Sequence, residues 1–149
     1  MNPQGLSRTD AAAFVTRRTG HEVAHTVLAY WESQGLLPKA GRGRGRWTPA
    51  RYTVRELVAA EIVARLRRDG ASLQRVKKAK AALLRLMPEL EGRPGEWRLA
   101  VTASGEVVRV QSFAEVMELS TRAPGQMLLV DARELVAAAQ DEIERRASA

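Results

Sequence analysis

Arginine and glycine alternate three times in Gly41-Arg42-Gly43-Arg44-Gly45-Arg46. A guanidinium is a permanent cation whose planar donors fit two phosphate oxygens at once. Glycine on either side leaves nothing to hold the backbone away from a polyanion. The chemistry expected is phosphate contact, not bond making. The run is neither a P-loop nor a dinucleotide fingerprint, because the spacing differs and no strand precedes it. His21 and His25 stand four residues apart, a spacing that can share a metal on a helix. Only Glu22 accompanies them and it points elsewhere, and the chain has no cysteine. Both histidines fall on one expected helix, so no Ser-His-acid grouping can be argued. No catalytic residue, metal or cofactor is expected, and the reading is that the chain is not an enzyme.

These residues need elements to position them. The chain has 149 residues, 45% of them hydrophobic, which is enough for a core in one domain or two very small ones. It carries 24 Lys and Arg against 17 Asp and Glu, a net of +7. The charge is unevenly placed. Residues 1–92 hold 17 basic and 8 acidic side chains, a net of +9, and residues 93–149 hold 7 and 9, a net of −2. A cationic half favours an anionic partner such as nucleic acid. The absence of cysteine excludes disulfides, thiol sensing and thiolate metal sites. No apolar run is long enough to span a bilayer, and "MNPQGLSRTD" has no signal-peptide core. The expected location is the cytoplasm, at the nucleoid, without membrane association.

"TDAAAFVTRR" over residues 9–18 reads as a first helix, capped by Ser7 or Thr9 and ended by Gly20. A second helix is expected from about Glu22 to Gln34, with Val23, Val27, Leu28 and Trp31 on one face and Gly35 as its terminator. Leu36 and Leu37 can plug into the helices, and the Arg-Gly run then suits a tight hairpin tip. Thr53-Val-Arg-Glu56 is a capping box opening a third helix to about Arg68, stopped by Gly70. Ser72 caps a fourth from Leu73 to Met87, which Pro88 is expected to close. Beyond "EGRPGE" the period changes from helical to alternating. "WRLAVTASGEVVRVQS" reads as a β-hairpin, "SFAEVMELS" as a short helix, "QMLLV" as a strand and "DARELVAAAQDEIERRA" as an amphipathic helix. The fold class is α+β, divided as residues 1–90, a linker at 91–96, and a small α/β unit at 97–149.

Three motifs carry a family resemblance. "YWESQGLL", "RYTVRELV" and "RLRRDGASLQRVKKA" stand in order from about Gly20 to Leu84. They resemble the recognition-helix ending, the third-helix start and the following segment of the MerR family of bacterial transcription regulators. The later "GQMLLVDARELV" is similar to tails of some small members of that superfamily. The resemblance implies a winged helix-turn-helix, mostly helical with a short wing hairpin, its second helix in the major groove of double-stranded DNA. Two departures stand out. Ala29 occupies the position where the family often has an arginine, and Pro88 and Gly95 fall where most members continue into a dimerising coiled coil.

On that resemblance His25 and Thr26 are the base-edge contacts, and Arg42, Arg44 and Arg46 contact the phosphate backbone or minor groove. Arg51 and Tyr52 match the family's backbone-contacting pair. Tyr30 either packs or reaches a phosphate, and Trp47 supports the wing or leans on DNA. Arg17 and Arg18 either touch phosphates or favour the end of their helix. Arg75, Lys77, Lys78 and Lys80 lie on the fourth helix, where a solvated face is the plainer reading. The expected function is a sequence-specific regulator acting as a homodimer on a pseudo-palindromic site. The C-terminal unit would dimerise it through the apolar face with Leu135, Val136 and Ile143, or grip a protein partner as an autoregulating antitoxin does.

Overall fold

The structure is a computed structural model that describes residues 5–38, 41–42, 50–92 and 98–148. Four helices make up most of the first half: α1 (Arg8–Thr19), α2 (His25–Ser33), α3 (Val54–Arg68) and α4 (Leu73–Gly92). A two-residue strand pair, β1 (Gly41–Arg42) and β2 (Ala50–Arg51), lies between α2 and α3. The second half runs β3 (Arg98–Val101), β4 (Val107–Val110), α5 (Phe113–Arg122), β5 (Leu128–Asp131) and α6 (Ala132–Ala147). The α+β class read from the sequence is the class observed.

Local chemistry sets the helix ends. The Ser7 hydroxyl accepts from the Asp10 N–H at 3.1 Å and caps α1. Gly20 closes that helix at φ +68°, a left-handed conformation that costs glycine little. Glu56 completes the capping box of α3, its carboxylate accepting from the Thr53 N–H at 2.9 Å. The Ser72 hydroxyl accepts from the Arg75 N–H at 3.1 Å and caps α4.

Two boundaries depart from expectation. Helix α2 begins at His25, not near Glu22, because the Thr16 hydroxyl clamps Val23: it accepts from the Val23 N–H at 2.9 Å and donates to the Val23 carbonyl at 3.1 Å. The residues before His25 are thereby held out of the helix. Pro88 lies inside α4 without ending it. Met87 and Leu90, on either side, are both buried, and that packing outweighs the hydrogen bond a proline removes. The linker expected at 91–96 falls largely on residues outside those described.

The three-stranded sheet is antiparallel throughout, in the order β4-β3-β5. Leu99, Val101 and Val130 turn one of its faces into the main core with the helices, while Ala100 and Val110 meet Leu119 of α5 on the other face. Helix α6 packs along α3. Leu135, Val136 and Ile143, the apolar face considered for dimerisation, are buried in this chain's own core. Arg75 ties the start of α4 to the sheet, donating to the carbonyls of Thr102 at 2.9 Å and Gln126 at 3.4 Å.

Candidate nucleic-acid interface

Helix α2 turns Leu28 and Trp31 inward and leaves His25, Thr26, Tyr30 and Ser33 in solvent. Its first turn is not capped by a side chain, since Ala24 stands at the N-cap. The exposed face therefore starts with the backbone donors of an open helix end, next to His25 and Thr26. Tyr30 is 56% exposed and continues this face toward the far end. His21 is exposed but lies outside the helix, so the four-residue spacing of the two histidines is not a helical one. Among the described residues no group of three or more His, Cys, Asp or Glu side chains could hold a metal ion.

Beneath the first turn of α2 lies a cleft of about 280 Å³. Val27 and Trp31 line it from α2, and His21, Glu22, Arg67 and Arg68 from the flanking segments. The two arginines, at the end of α3, are pinned by backbone carbonyls: Arg67 donates to Ala71, just beyond α3, and Arg68 to Thr19 at the end of α1, each at 2.8 Å.

The chain leaves α2 through Gly35, at φ +74°, and anchors itself with buried Leu36 and Leu37. Strands β1 and β2 then pair antiparallel, Gly41 with Arg51 and Arg42 with Ala50. The segment joining them, with Arg44, Arg46 and Trp47, lies outside the described residues. Arg51 is exposed. Tyr52 is not: its side chain is fully buried, its backbone pairs in both directions with Leu6 at 2.7 and 2.8 Å, and its hydroxyl donates to Glu32 Oε2 at 2.9 Å.

Arg8 completes that arrangement, its Nε donating to the same Glu32 oxygen at 2.9 Å. Three residues thus fasten the start of α1, the end of α2 and the exit of β2 together. Burial pushes the Tyr52 hydroxyl well above the ordinary tyrosine pKa and the Glu32 carboxylate adds to this, while Arg8 opposes it. Nothing in the sequence motifs marked Arg8, which is joined to Glu32 only through the fold.

Arg17 and Arg18, in the last turn of α1, face carboxylates from distant parts of the chain. Arg18 Nε donates to Glu61 Oε1 at 2.8 Å, and its outer nitrogens reach Glu134 of α6. Glu61 is 1% exposed and also accepts from Arg65 at 2.7 Å. The bond to Glu134 raises the Arg18 pKa first, against burial, and Glu61 raises it further. Arg17 donates to Glu142 of α6 at 2.8 Å, with half of its side chain still in solvent.

Two helices in succession, the second presenting an exposed polar face beside an antiparallel strand pair on the cationic half of the chain, have the arrangement of a helix-turn-helix. Residues 19–83 match the sequence model described as MerR HTH family regulatory protein. The match supports a MerR-family DNA-binding region over this stretch, and with it a DNA-binding transcription regulator. No curated protein matches the chain. Among the described residues, no helix is long and apolar enough to cross a membrane.

Proposed function

We propose that the chain is a sequence-specific regulator that binds double-stranded DNA as a homodimer, with α2 in the major groove and the β1–β2 hairpin as a wing along the backbone. The observation that carries this reading is the exposed face of α2, held between two fixed points. At its start the Thr16 hydroxyl clamps Val23, and at its end Glu32 is gripped by Arg8 and Tyr52. A helix fixed at both ends presents His25 and Thr26 to base edges with little orientational freedom to lose.

In this reading Arg42, Arg44, Arg46 and Arg51 lie along the phosphate backbone, and Tyr30 reaches a phosphate through its hydroxyl. Tyr52 and Arg18 act one step back: Tyr52 seats the wing on α2, and Arg18 fastens α1 to α3 and α6. Arg17 keeps enough solvent access to exchange Glu142 for a phosphate. One winged unit makes few base contacts and two double them, so the functional species is a dimer on an inverted repeat. The first half of the chain supplies the DNA contacts, and the unit from residue 97 onward joins the copies.

Binding to a library of double-stranded fragments at several salt concentrations tests this. Recovery of a short inverted repeat that survives physiological salt is expected. Weak binding, uniform across sequences and lost on adding salt, would leave only the electrostatic attraction and sink the proposal.

A further inference from the structure

Helix α5 divides its flanks sharply. Val116 and Leu119 point to the sheet. Glu115, Glu118 and Arg122 share a groove with Val108 and Val110, so they lie on the β4 side. Phe113, Met117 and Ser120 occupy the other flank, the side of β5, by helical spacing. That flank has no charged residue, yet Phe113 is 78% exposed and Met117 51% exposed. On the sheet face that α5 covers, Leu129 of β5 is 42% exposed. In the strand order β4-β3-β5, β5 is an edge with one neighbour among the described residues.

We infer that this strip, made of Phe113, Met117 and Leu129 with the edge of β5, is where a second copy of the chain docks across a two-fold axis. The inference rests on the homodimer reading above and names its surface. Charge selects the occupant. The α5 flank and Leu129 bring no charge to a two-fold contact, Asp131 at the end of β5 being the one charged residue of the strip, and the strip sits on the half with net −2, whereas two copies meeting through the half with net +9 would repel more strongly. The same lack of cations argues against a nucleic acid here. Size sets a requirement. The three side chains expose on the order of 300 Å² of apolar surface, and a stable interface takes about 800 Å² per partner. The strand edge must therefore contribute too. Two β5 edges paired antiparallel would extend two three-stranded sheets into one of six strands, satisfying the free edge groups and bringing both α5 flanks together. The face of α6 offers no alternative, since Leu135, Val136 and Ile143 are spent on this chain's own core.

The test compares the wild-type chain with a variant carrying Phe113→Glu and Met117→Glu, by light scattering at micromolar concentration without DNA. The wild type is expected at twice the chain mass and the variant at the chain mass, with the same circular dichroism melt. The variant keeps wild-type affinity for a single half-site and loses at least tenfold on the inverted repeat. A second measurement does not depend on how those glutamates are tolerated. Leu129→Cys provides the sole thiol in a cysteine-free chain, and a short bis-maleimide should link it into a covalent dimer. Glu118→Cys, on the opposite flank, should stay monomeric under the same reagent. A monomeric wild type, a variant that remains dimeric, equal cross-linking at both positions, or a different protein seated on this strip in the purified complex each overturns the inference. Loss of half-site binding by the wild type would instead sink the DNA-binding reading and leave the interface standing.

Discussion

The hydroxyl of Tyr52, at the exit of the strand pair, donates to Glu32, at the end of α2, across 2.9 Å. The bond spans 20 residues of sequence and joins the helix that would read DNA to the hairpin that would brace it. Because Arg8 holds the same carboxylate oxygen, the angle between helix and hairpin is set from two directions.

Tyr52→Phe removes this hydroxyl and leaves the ring in place. Glu32 keeps Arg8, so no charge is stranded, and the loss is that of one buried hydrogen bond to a charged group. Stability should fall by about 1.5–3 kcal/mol, measured by urea unfolding. A change below a few tenths of a kcal/mol would show that the bond does not hold the wing to α2.

Glycine positions separate backbone strain from lack of space. Gly20 and Gly105 both have φ in the left-handed region, at +68° and +89°. A Cβ added at Gly20 meets nothing within 4 Å, whereas one at Gly105 would stand 2.8 Å from the Arg75 carbonyl of α4. Gly20→Ala should cost about 1–2 kcal/mol, the conformational penalty alone. Gly105→Ala adds a collision with helix backbone and should cost clearly more, because the hairpin must lift off α4. Thermal melts of the two variants decide it, and equal losses would rule out the steric part.

Much of the architecture could be read from the chain because the signals are local. Gly20 and Gly35 with their left-handed turns, Ser7 and Ser72 as caps, and the Thr53–Glu56 capping box each act within four residues. What could not be read acts at a distance. The start of α2 depends on Val23 being held by a hydroxyl seven residues before it, at Thr16. Pro88 is tolerated because Met87 and Leu90 are buried by other elements. Arg17 and Arg18 read as phosphate contacts or helix-end charges, and their acidic partners stand 125 and 116 residues away. The apolar face of α6 was visible, but not that α3 of the same chain would cover it.

Arg18→Ala tests which role that arginine plays. It leaves Glu61 buried with Arg65 alone and frees Glu134. Removing one partner of a buried pair costs about 3–5 kcal/mol when the other is stranded, and the remaining bond to Arg65 should hold the loss to the lower end. The salt dependence of DNA binding should not change. A flattened salt slope with undiminished stability would return Arg18 to the phosphate-contacting set.

Glu142 predicts an acid limb in stability. Burial opposes its ionisation, but Arg145, Arg146 and Arg17 outweigh that and hold its pKa down to about 2, against 4.5 for the free group. A folded-state pKa below the unfolded value gives stability that is fully present above pH 4.5 and is lost as pH falls toward 2. Glu142→Gln should therefore lower stability at pH 7 and narrow the difference from wild type on acidification through that window. Curves that stay parallel from pH 6 to pH 2 would show that the carboxylate contributes nothing through its charge.

The division between reading and holding DNA gives the last prediction. Arg51 is exposed where the hairpin rejoins the core, and His25 is exposed in the first turn of α2. If Arg51 neutralises one phosphate, Arg51→Ala weakens binding to every sequence alike and reduces the slope of log K against log salt by about 0.9. If His25 contacts a base edge, His25→Ala costs about 1–3 kcal/mol on the cognate site and little elsewhere, relaxing preference at one position of each half-site. The two effects are orthogonal, one moving the slope and the other the sequence preference. Fluorescence anisotropy on a cognate and a scrambled duplex at four salt concentrations reads both. If both substitutions weaken every sequence equally, α2 is not reading bases at His25, and the recognition surface must be sought further along it, toward Tyr30.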